Sequence, residues 1–282
     1  MTRRLSIPSP HRRGFLAGVA GLFGTASLGG CDKIADSAWG TRTLKAGEDA
    51  NLYVQRLLLK PTSLAREFSE ADISKWFKPN GTIDPEDTPY KALAAKNFSA
   101  YTLRVDGLVE TPLDLSLEEL RKMAARTQIT RHDCVEGWSA IGKWSGVPLA
   151  EVLNKAKLKP QARYIVFHCA DTMEYAPADE AAADGDANAS DGAAPAGKPI
   201  RYYESIDLTD AFHPQTILAY DMNGKPLPVS NGAPLRLRVE RQLGYKQAKY
   251  IMRIEVADTL AHVGQGNGGY WEDNGYEWYA GI

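Results

Sequence analysis

The stretch 132–149, HDCVEGWSAIGKWSGVPL, constrains this chain more than any other part of the sequence. Residues 127–131 before it favour a strand, and the three glycines within it predict a loop, because glycine adopts backbone conformations that other residues avoid. Pro148 suits the first turn of a following helix, since proline has no N–H to lose there. Cys134, between glycines and tryptophans, is therefore placed either to face a cleft or to pack as a small buried hydrophobe.

The composition indicates a globular protein. The 282 residues are 44% hydrophobic and 24% charged, which is enough apolar content for one large domain or two small ones. The net charge of −2 disfavours a nucleic-acid partner, because such a partner requires a basic surface. No internal repeat is visible, and no apolar run has the length expected of a mature membrane span.

Residues 1–30 have the features of an export signal and are excluded from the predicted fold. The run RRGFL at 12–16 is typical of a twin-arginine signal, which exports folded proteins, and LGGC at 28–31 is typical of a bacterial lipobox. Asp32 resembles the signal that keeps lipoproteins on the inner membrane. We therefore expect a periplasmic protein that is anchored to the inner membrane by lipid on Cys31. The alternative is an ordinary basic start before an anchor helix, although the apolar stretch is short and rich in glycine.

The remaining chain alternates strand-forming runs with short helices. Ser116 and Glu119 have the spacing of a helix-capping box, and Asn223–Gly224 after an apolar run predicts a hairpin turn. Ser69 is expected to cap a short helix that ends near Phe77. Strands are predicted over 101–105, 127–131, 164–169, 217–222, 235–239 and 250–256, and a helix over 148–157. These elements predict an α+β fold with mixed or largely antiparallel sheets and few short helices.

The predicted domain organisation follows from changes in composition. Residues 31–95 are polar or irregular and are expected to form a tether, up to about residue 47, and an N-terminal arm. Residues 96–258 hold the regular elements of the core domain, and 259–282 form an aromatic tail that we expect to pack on it. The segment 178–197 lacks aromatic and large aliphatic residues, so it predicts a mobile surface loop within the domain. A plain linker between two domains is the alternative.

The cysteine stretch resembles the corresponding loop of a known family. Its run DCVEGWS at 133–139, followed by GVPL at 146–149, is similar to the cysteine loop of molybdopterin oxidoreductases of the sulfite oxidase superfamily. It is closest to the periplasmic methionine-sulfoxide-reductase-like branch, at the level of the catalytic subunit. The resemblance covers about residues 98–256 and implies the sulfite-oxidase-type molybdopterin-binding fold. It also implies that the thiolate of Cys134 binds molybdenum beside the two dithiolene sulfurs of one pyranopterin. Soft sulfur suits a redox metal, so Cys134 is the expected metal ligand and catalytic residue.

Two later segments resemble the part of that family that holds the pterin. NGAPLR at 231–236 has Asn231 and Arg236 where the family has an Asn or His and an Arg. GYK at 244–246, followed by Lys249, resembles the stretch that wraps the pyranopterin and its phosphate. The resemblance thus implies cofactor-binding roles for Asn231, Arg236, Gly244, Tyr245, Lys246 and Lys249. An anionic phosphate on a polar ring system needs cations and backbone donors, which these residues supply. The alternative for the arginines near 236 is a solvated basic strand face.

Three further residues complete the implied cofactor site. Asn97 and Phe98 stand where related reductases carry an Asn-x-Phe-Tyr segment. Cys169 lies close to the position of a threonine near the metal in those reductases. The alternatives for Cys169 are a silent core cysteine and a disulfide that would consume the expected metal ligand. His132 and His168 are either proton donors near the site or structural histidines.

The resemblance implies a periplasmic molybdenum oxidoreductase that transfers an oxygen atom, with molybdenum–molybdopterin, a single pyranopterin, as its cofactor. Reduction of a sulfoxide or a related S- or N-oxide, small or peptide-bound, is the expected reaction, because the cysteine loop and Asn231 are similar to the reductase branch. The sequence has no Cys-x-x-Cys-His haem motif, so a separate electron-transfer partner is expected, either a membrane haem protein or a cytochrome c. The alternatives are a sulfite-oxidising enzyme and a non-catalytic periplasmic lipoprotein on the same fold.

The lipobox predicts that Cys31→Ser releases the mature protein into the soluble periplasm. Lipid is attached at the cysteine, so the apolar stretch before it would act only as a signal. The measurement is the distribution of the protein between the membrane and the soluble periplasmic fraction, with the unchanged protein as control. Tight membrane association of Cys31→Ser would instead indicate an uncleaved anchor.

Overall fold

A computed structural model describes residues 37–176 and 197–282 of the chain. The predicted export signal at 1–30, the lipobox cysteine and nearly all of the predicted loop at 178–197 lie outside these residues. Within the described ranges, no helix is long and apolar enough to cross a membrane. The chain divides between Val54 and Gln55 into two units, and the second unit, Gln55–Ile282, holds the β-sheets.

Most helices in the described ranges are short. They are α1 (Ala38–Leu58), α2 (Thr88–Ala94), α3 (Leu117–Lys122), α4 (Leu149–Ala156), α5 (Leu208–Ala211) and α6 (Tyr270–Asp273). Glu70–Asp72, Val229–Asn231 and Gly244–Lys246 form 3-10 turns. Helices of one or two turns are not stable alone, so this architecture depends on the sheets against which they pack.

Two sheets of five strands each are present in the described part of the chain. The strands are β1 (Thr102–Gly107), β2 (Leu113–Ser116), β3 (Arg126–Cys134), β4 (Trp138–Pro148), β5 (Tyr164–Tyr175), β6 (Pro199–Asp207), β7 (Ile217–Met222), β8 (Lys225–Pro226), β9 (Arg236–Arg238) and β10 (Ile251–Ala257). The first sheet has the order β2–β1–β10–β5–β6, in which β1 and β10 are parallel and the other neighbours are antiparallel. The first residue of β10, Ile251, pairs with Cys169 in the middle of β5. The chain just before β10 therefore lies close to the middle of β5.

The second sheet has the order β3–β4–β7–β8, with β9 paired to β7, and its described pairs are antiparallel. β3 and β4 form a tight hairpin in which Cys134 pairs with Trp138. The predicted loop over 132–149 is therefore wrong, because β4 is a regular strand of 11 residues. One of the glycines that suggested a loop instead allows close backbone contact, since Gly146 lies against the backbone of Leu218 on β7.

The local signals for two elements are confirmed. The Ser116 hydroxyl accepts a hydrogen bond from the Glu119 N–H at 3.2 Å, and the Glu119 carboxylate accepts from the Ser116 N–H at 2.8 Å, which completes the capping box of α3. Asn223–Gly224 joins β7 to β8, and both residues have the positive φ of a tight hairpin turn. Ser69, in contrast, precedes only a 3-10 turn of 3 residues, so the predicted helix there is too long.

Helix α1 corrects the prediction of a polar tether followed by an irregular arm. The sequence predicts a tether up to about residue 47, whereas α1 continues through this region for 21 residues. More than half of these residues are good helix formers, and each glycine in the run lowers helix propensity by about 1 kcal/mol without ending the helix. The first turn contains no acidic residue, so one of the usual signals of a helix start is missing from the sequence.

Strand β9 carries two arginines into the interior. Arg236, Leu237 and Arg238 are each 0% exposed, and Trp144 on β4 is buried to the same extent. Leu237 and Trp144 belong to the main hydrophobic core. The alternative of a solvated basic face on this strand is therefore wrong. Guanidinium groups are rarely buried without partners, so this strand marks a site that needs a chemical explanation.

Gly146→Ala should destabilise the fold. A methyl group at this position would lie 2.1 Å from the carbonyl oxygen of Leu218 and 2.6 Å from the Cα of Ala219, both in the backbone of β7. β4 and β7 would have to separate, and we expect a loss of about 1–3 kcal/mol, the usual range for overpacking. Urea denaturation of the variant and the unchanged protein measures this loss.

Gly47→Ala is the matched control for that substitution. No described atom lies within 4 Å of a methyl group at this position. Because Gly47 lies within α1, the change should be neutral or should stabilise the helix. If Gly146→Ala were as stable as this control, the close contact between β4 and β7 would be refuted.

Candidate active site

A cavity of about 200 Å³ opens beside Cys134. Its walls come from distant parts of the sequence: the tip of the β3–β4 hairpin, the second half of β5, the segment 244–249, the C-terminal segment around α6, and the turn at 80–82. The residues that matter most for its chemistry are Cys134, Glu136, Asp171, Lys249, Trp271 and Tyr276. The cavity therefore combines a thiol, two acids, a cation and an aromatic wall.

Cys134 is the last residue of β3, and its side chain is buried at the cavity wall. A tight turn holds it there, in which the Gly137 N–H donates to the Cys134 carbonyl oxygen at 3.0 Å. Gly137 has a φ of 83°, a conformation that favours glycine. Burial raises the pKa of the thiol. A bound metal cation would lower that pKa, because metals bind the thiolate.

Glu136 lies two residues from the thiol and provides a negative charge. The Trp138 Nε1–H donates to its carboxylate at 2.9 Å, and the Lys78 ammonium lies 3.0 Å from the same oxygen. These two hydrogen bonds lower the pKa of Glu136. Its carboxylate therefore remains ionised at neutral pH at the mouth of the cavity.

Arg236 is fully buried, and most of its donors are unused. Its Nη1 donates to the Asn231 carbonyl oxygen at 3.0 Å, but its Nε and Nη2, like the Asn231 Nδ2, have no partner among the described residues. The guanidinium carbon lies 4.9 Å from the centre of the Trp144 ring. Burial, and then repulsion from Arg238, lowers the pKa of Arg236 to about 9. An anion or polar ring in front of these donors would satisfy them and favour the charged form.

Lys249 adds a second cation close to Arg236. Its ammonium donates to the carbonyl oxygens of Asn80, at 2.5 Å, and of Thr82. Burial, and then repulsion from Arg236, lowers the pKa of Lys249 to about 7. Gly232 allows the two cationic side chains to come together, since a methyl group there would lie 2.9 Å from the Lys249 side chain and 3.2 Å from the Cβ of Arg236. This side of the cavity is therefore electropositive.

His132 and Arg238 form a buried polar cluster behind Gly244. Arg238 donates to the Glu240 carboxylate at 2.6 Å and to Nδ1 of His132 at 3.2 Å. Nδ1 of His132 also lies 3.3 Å from the Gln247 side-chain oxygen, an acceptor, so its two neighbours favour opposite tautomers, and Nε2 has no partner among the described residues. Burial, and then repulsion from Arg238, holds the pKa of His132 well below its usual range, so the ring is neutral. Gly244 is required beside it, since a methyl group there would lie 2.5 Å from His132 Cε1.

A family model described as "Oxidoreductase molybdopterin binding domain" matches residues 90–263, which is more than half of the chain. The chain belongs to the molybdopterin-binding oxidoreductases. It is 35% identical over 275 residues to a protein of Azospira oryzae named putative protein-methionine-sulfoxide reductase subunit YedZ1, a match that covers 98% of this chain and 89% of that protein. It is 36% identical over 173 residues to the protein-methionine-sulfoxide reductase catalytic subunit MsrP of Xanthomonas axonopodis pv. citri, covering 61% of this chain and 49% of that protein. The chain thus spans about half the length of this second relative.

Among solved structures, the sulfane dehydrogenase SoxCD from Paracoccus pantotrophus is similar over 57% of this chain and 39% of that chain, with 21% identity and a TM-score of 0.45. A TM-score of this size carries no argument of its own. The predicted α+β fold class is confirmed by the mixed and antiparallel sheets and short helices of this oxidoreductase, together with the family match.

The residues around the cavity fit the cofactor that this family implies. Buried polar groups are almost always hydrogen-bonded, yet Arg236, Asn231 and His132 each have an unpartnered buried nitrogen among the described residues. None of these three residues lines the cavity itself, so the cofactor would have to reach them past its wall. A pterin with a phosphate offers several acceptors, and the Lys249 ammonium adds a cation for the anionic end. The thiol of Cys134 lies in the wall of the same cavity. The donor set of this oxidoreductase therefore matches a polar, anionic ligand that also carries a thiophilic metal.

Lys246 has partners that the sequence does not predict. Its side chain is fully buried, and its ammonium lies 2.6 Å from the Glu204 carboxylate and 2.5 Å from that of Glu272. Burial opposes its charge, but attraction from these two carboxylates raises the pKa of Lys246. Its charge is therefore neutralised within the protein, and its contacts among the described residues do not support the predicted contact with the cofactor. Because Glu272 lies on α6, we infer that Lys246 holds the C-terminal segment against the body of the domain.

Cys169 lies on β5 opposite Ile251 and is buried in the core rather than in the cavity lining. Cys134 and Cys169 are both free thiols, so the alternative of a disulfide between them is wrong. Burial raises the pKa of Cys169 well above its usual range, which keeps the thiol protonated. Its predicted contact with the cofactor stays a prediction.

Asn97 and Phe98 form the turn between α2 and β1, each with a positive φ, and neither is part of the cavity lining. Phe98 packs against Tyr90 with ring centres 5.5 Å apart. The Tyr90 hydroxyl donates to the Ala233 carbonyl oxygen at 2.7 Å, within the segment that joins Asn231 to β9. In this structure the Asn97–Phe98 turn therefore packs, through Tyr90, against the segment 231–236, and the predicted cofactor contact of these two residues stays a prediction.

Among the lining residues that sequence reasoning missed, Asp171, Trp271 and Tyr276 contribute most to the chemistry of the cavity. An acidic residue at the end of the apolar run 164–170 is a signal that could have identified Asp171. The aromatic content of the tail indicated that it packs, but not that Trp271 and Tyr276 stack, with ring centres 5.3 Å apart and planes at 29°, in the wall of the site. That arrangement depends on the buried ion pair of Lys246 and Glu272, which has no local sequence signal.

Arg236→Ala should lower molybdenum per protein more than turnover per bound molybdenum. The variant removes a charge-assisted contact worth about 1.5–3 kcal/mol, which corresponds to roughly a ten- to hundredfold loss of cofactor affinity. Metal analysis and activity are measured on the same preparation. Arg121→Ala is the matched control, because Arg121 forms a surface ion pair with Asp221. Full occupancy with collapsed activity would place Arg236 at the substrate instead of the pterin.

Proposed function

We propose that this oxidoreductase binds molybdenum through the thiolate of Cys134 and catalyses oxygen-atom transfer, reducing a sulfoxide or a related S- or N-oxide. The observation that carries the proposal is one buried thiol in the same cavity wall as Lys249. Arg236, with its unused donors, is not a lining residue but lies across Gly232 from the Lys249 side chain. Soft sulfur ligands suit a redox metal of this kind. The relatives named as methionine-sulfoxide reductases support the choice of a sulfoxide.

Arg236, Asn231 and Lys249 would hold the anionic and polar edges of the pterin, and the backbone at Gly244 would allow its close approach. When bound, the molybdenum cofactor supplies the two-electron chemistry of oxygen-atom transfer. The protein residues present the thiolate, neutralise the phosphate and exclude water from the buried side of the cavity. The side lined by the C-terminal segment is left for the substrate.

The wall from the C-terminal segment suits a thioether or its oxide. Trp271 stacks on Tyr276, and Tyr245 meets Tyr276 edge-to-face with ring centres 5.2 Å apart. Met173 adds a flexible apolar side chain to the same lining. Sulfur contacts aromatic rings favourably, by about 0.3–1.5 kcal/mol for each contact. Tyr276 is 41% exposed, so the aromatic wall reaches the surface, where the side chain of a peptide-bound methionine sulfoxide could enter.

Sulfite oxidation is less compatible with the charges of this wall. Sulfite is an anion, and the lining carries the ionised Glu136 together with the acidic Asp171. The cations Arg236 and Lys249 would be neutralised by the phosphate of the cofactor, so they would not compensate those acids. A neutral sulfoxide can bind beside these acidic side chains without electrostatic repulsion.

The protein is proposed to act in the periplasm, exported folded by the twin-arginine route and held at the inner membrane by lipid on Cys31. Electrons would be supplied by a separate partner, a membrane haem protein or a cytochrome c. The twin-arginine run and the lipobox in the sequence support this placement.

Metal and substrate analysis tests the proposal directly. Protein expressed in a host that makes molybdopterin should contain about one molybdenum and one pterin per chain. With a reduced viologen dye as electron donor, it should reduce dimethyl sulfoxide and methionine sulfoxide, and it should not oxidise sulfite at a comparable rate. Metal-free protein from such a host would support the non-catalytic alternative, and dominant sulfite oxidation would support the other enzyme.

Cys134→Ser should abolish activity while leaving the fold intact. A hard hydroxyl replaces a soft thiolate at the metal, but the change in volume is small. Circular dichroism and thermal unfolding check the fold, and sulfoxide reduction measures the activity. Ser145→Ala on the same hairpin is the control, because this hydroxyl bonds Thr127 at 2.7 Å and lies outside the cavity lining. Near-normal turnover of Cys134→Ser would show that Cys134 is not the metal ligand.

A further inference from the structure

Asp171 is a buried acid in the wall of the cavity to which the proposed function has not yet assigned a role. It lies on β5, where the pairing with β6 shifts register between His168 and Thr172. The side chain is 4% exposed, and its Oδ1 has no hydrogen-bond partner among the described residues. A buried carboxyl with an unused oxygen in a cavity wall is unusual, because buried polar groups are normally satisfied. The missing partner is therefore expected to be a ligand.

The surroundings of Asp171 raise its pKa towards neutral pH. The titratable groups that interact with it are Lys249, Cys169, Tyr90, Tyr202 and Tyr250. Lys249, with a pKa of about 7, is about half protonated at pH 7, and the other four are neutral. Burial raises the pKa of Asp171, attraction from Lys249 lowers it in part, and the result is a pKa of about 6. The carboxyl can therefore hold and release a proton close to neutral pH.

Apart from Tyr276, which is 41% exposed, the other oxygen acids of the lining are committed elsewhere. Glu136 is ionised and accepts from Trp138 and Lys78. The Tyr245 hydroxyl donates to the Glu277 carbonyl oxygen at 2.6 Å, and the Tyr202 hydroxyl donates to the Tyr245 carbonyl oxygen. Among the described lining residues, Asp171 thus combines an unused oxygen with a proton that can be released.

We propose that Asp171 is the general acid that protonates the oxygen leaving the sulfoxide, an inference that rests on the proposed function. Reduction of a sulfoxide breaks one sulfur–oxygen bond and consumes two electrons and two protons, giving a sulfide and water. The electrons come from the reduced haem-type partner or, in the assay, from the reduced viologen dye. Asp171 supplies one proton to the departing oxygen, solvent supplies the other, and the carboxylate is then reprotonated from solvent.

This role sets the direction of the pH dependence. Asp171 acts in its protonated form, which is present below a pKa of about 6 and is lost as the pH rises through that value. Turnover should therefore fall on the alkaline side of a transition near this pH. A bound phosphate near Lys249 would weaken the attraction that lowers the pKa, so the transition in the loaded enzyme should lie at or above this value.

The test is Asp171→Asn in the cofactor-loaded full chain, with dimethyl sulfoxide and methionine sulfoxide as substrates. The amide keeps the shape of the carboxyl but has no proton to give. Turnover should fall by about a hundred- to ten-thousandfold, the range usual for a general acid, and its alkaline transition should disappear. Molybdenum per protein should stay at the level of the unchanged enzyme, and Asp171→Glu should restore a pH-dependent turnover.

Asp114→Asn is the matched control. Asp114 lies exposed on β2, where it pairs with Arg104 of β1, so this substitution should leave the pH profile unchanged. Infrared titration supplies a readout that does not depend on activity. The protonated carboxyl band of the loaded enzyme should be lost as the pH rises through the same transition, and it should be absent from Asp171→Asn.

Each outcome of this test has a defined meaning. An unchanged pH profile in Asp171→Asn, in an enzyme that does reduce sulfoxides, overturns the role of Asp171 alone. Loss of molybdenum from that variant also overturns it, and makes Asp171 a cofactor-holding residue. If the unchanged, fully loaded enzyme reduces neither substrate, the proposed function fails and the general acid fails with it.

Discussion

The structure depends on two buried arginines that one short strand places over the same indole ring. The guanidinium carbons of Arg236 and Arg238 lie 4.9 Å and 4.5 Å from the centre of the Trp144 ring. The charge of Arg238 is compensated by the Glu240 carboxylate. Among the described residues, Arg236 donates only to the Asn231 carbonyl oxygen, and it is repelled by the charge of Arg238. An uncompensated buried charge costs several kcal/mol. An anion bound at Arg236 would offset this cost, so under the proposed function cofactor loading and the stability of the fold would be linked.

The cavity has one side within the residues that the family model matches and another side beyond the end of that match. Cys134 and the 231–249 region lie within the residues that the family model matches, while Trp271 and Tyr276 lie beyond its end at 263. The C-terminal segment is held by the buried ion pair of Lys246 and Glu272, so the aromatic wall is as firmly placed as the cofactor side. This division separates cofactor binding, a common requirement of the family, from substrate recognition.

The two acids of the lining are in opposite environments. Glu136 is solvated, hydrogen-bonded and paired with Lys78, which favours the ionised form. Asp171 is buried with an unused oxygen, which favours the protonated form. Environments that move two pKa values apart are a common means by which one site holds both a fixed charge and a transferable proton.

Local patterns in the sequence determined six of the ten described strands, the capping box at Ser116 and the hairpin turn at Asn223–Gly224, because these depend on neighbours within a few residues. The resemblance around Cys134 also identified the cofactor class, since that motif is contiguous. Tertiary structure alone decided the rest. A glycine-rich stretch became strand β4 because it packs against β7, and Lys246 turned to Glu204 and Glu272 because burial requires a counter-charge. Asp171 became a candidate acid because sheet pairing and the fold of the tail enclose it, and the sequence of β5 does not contain that information.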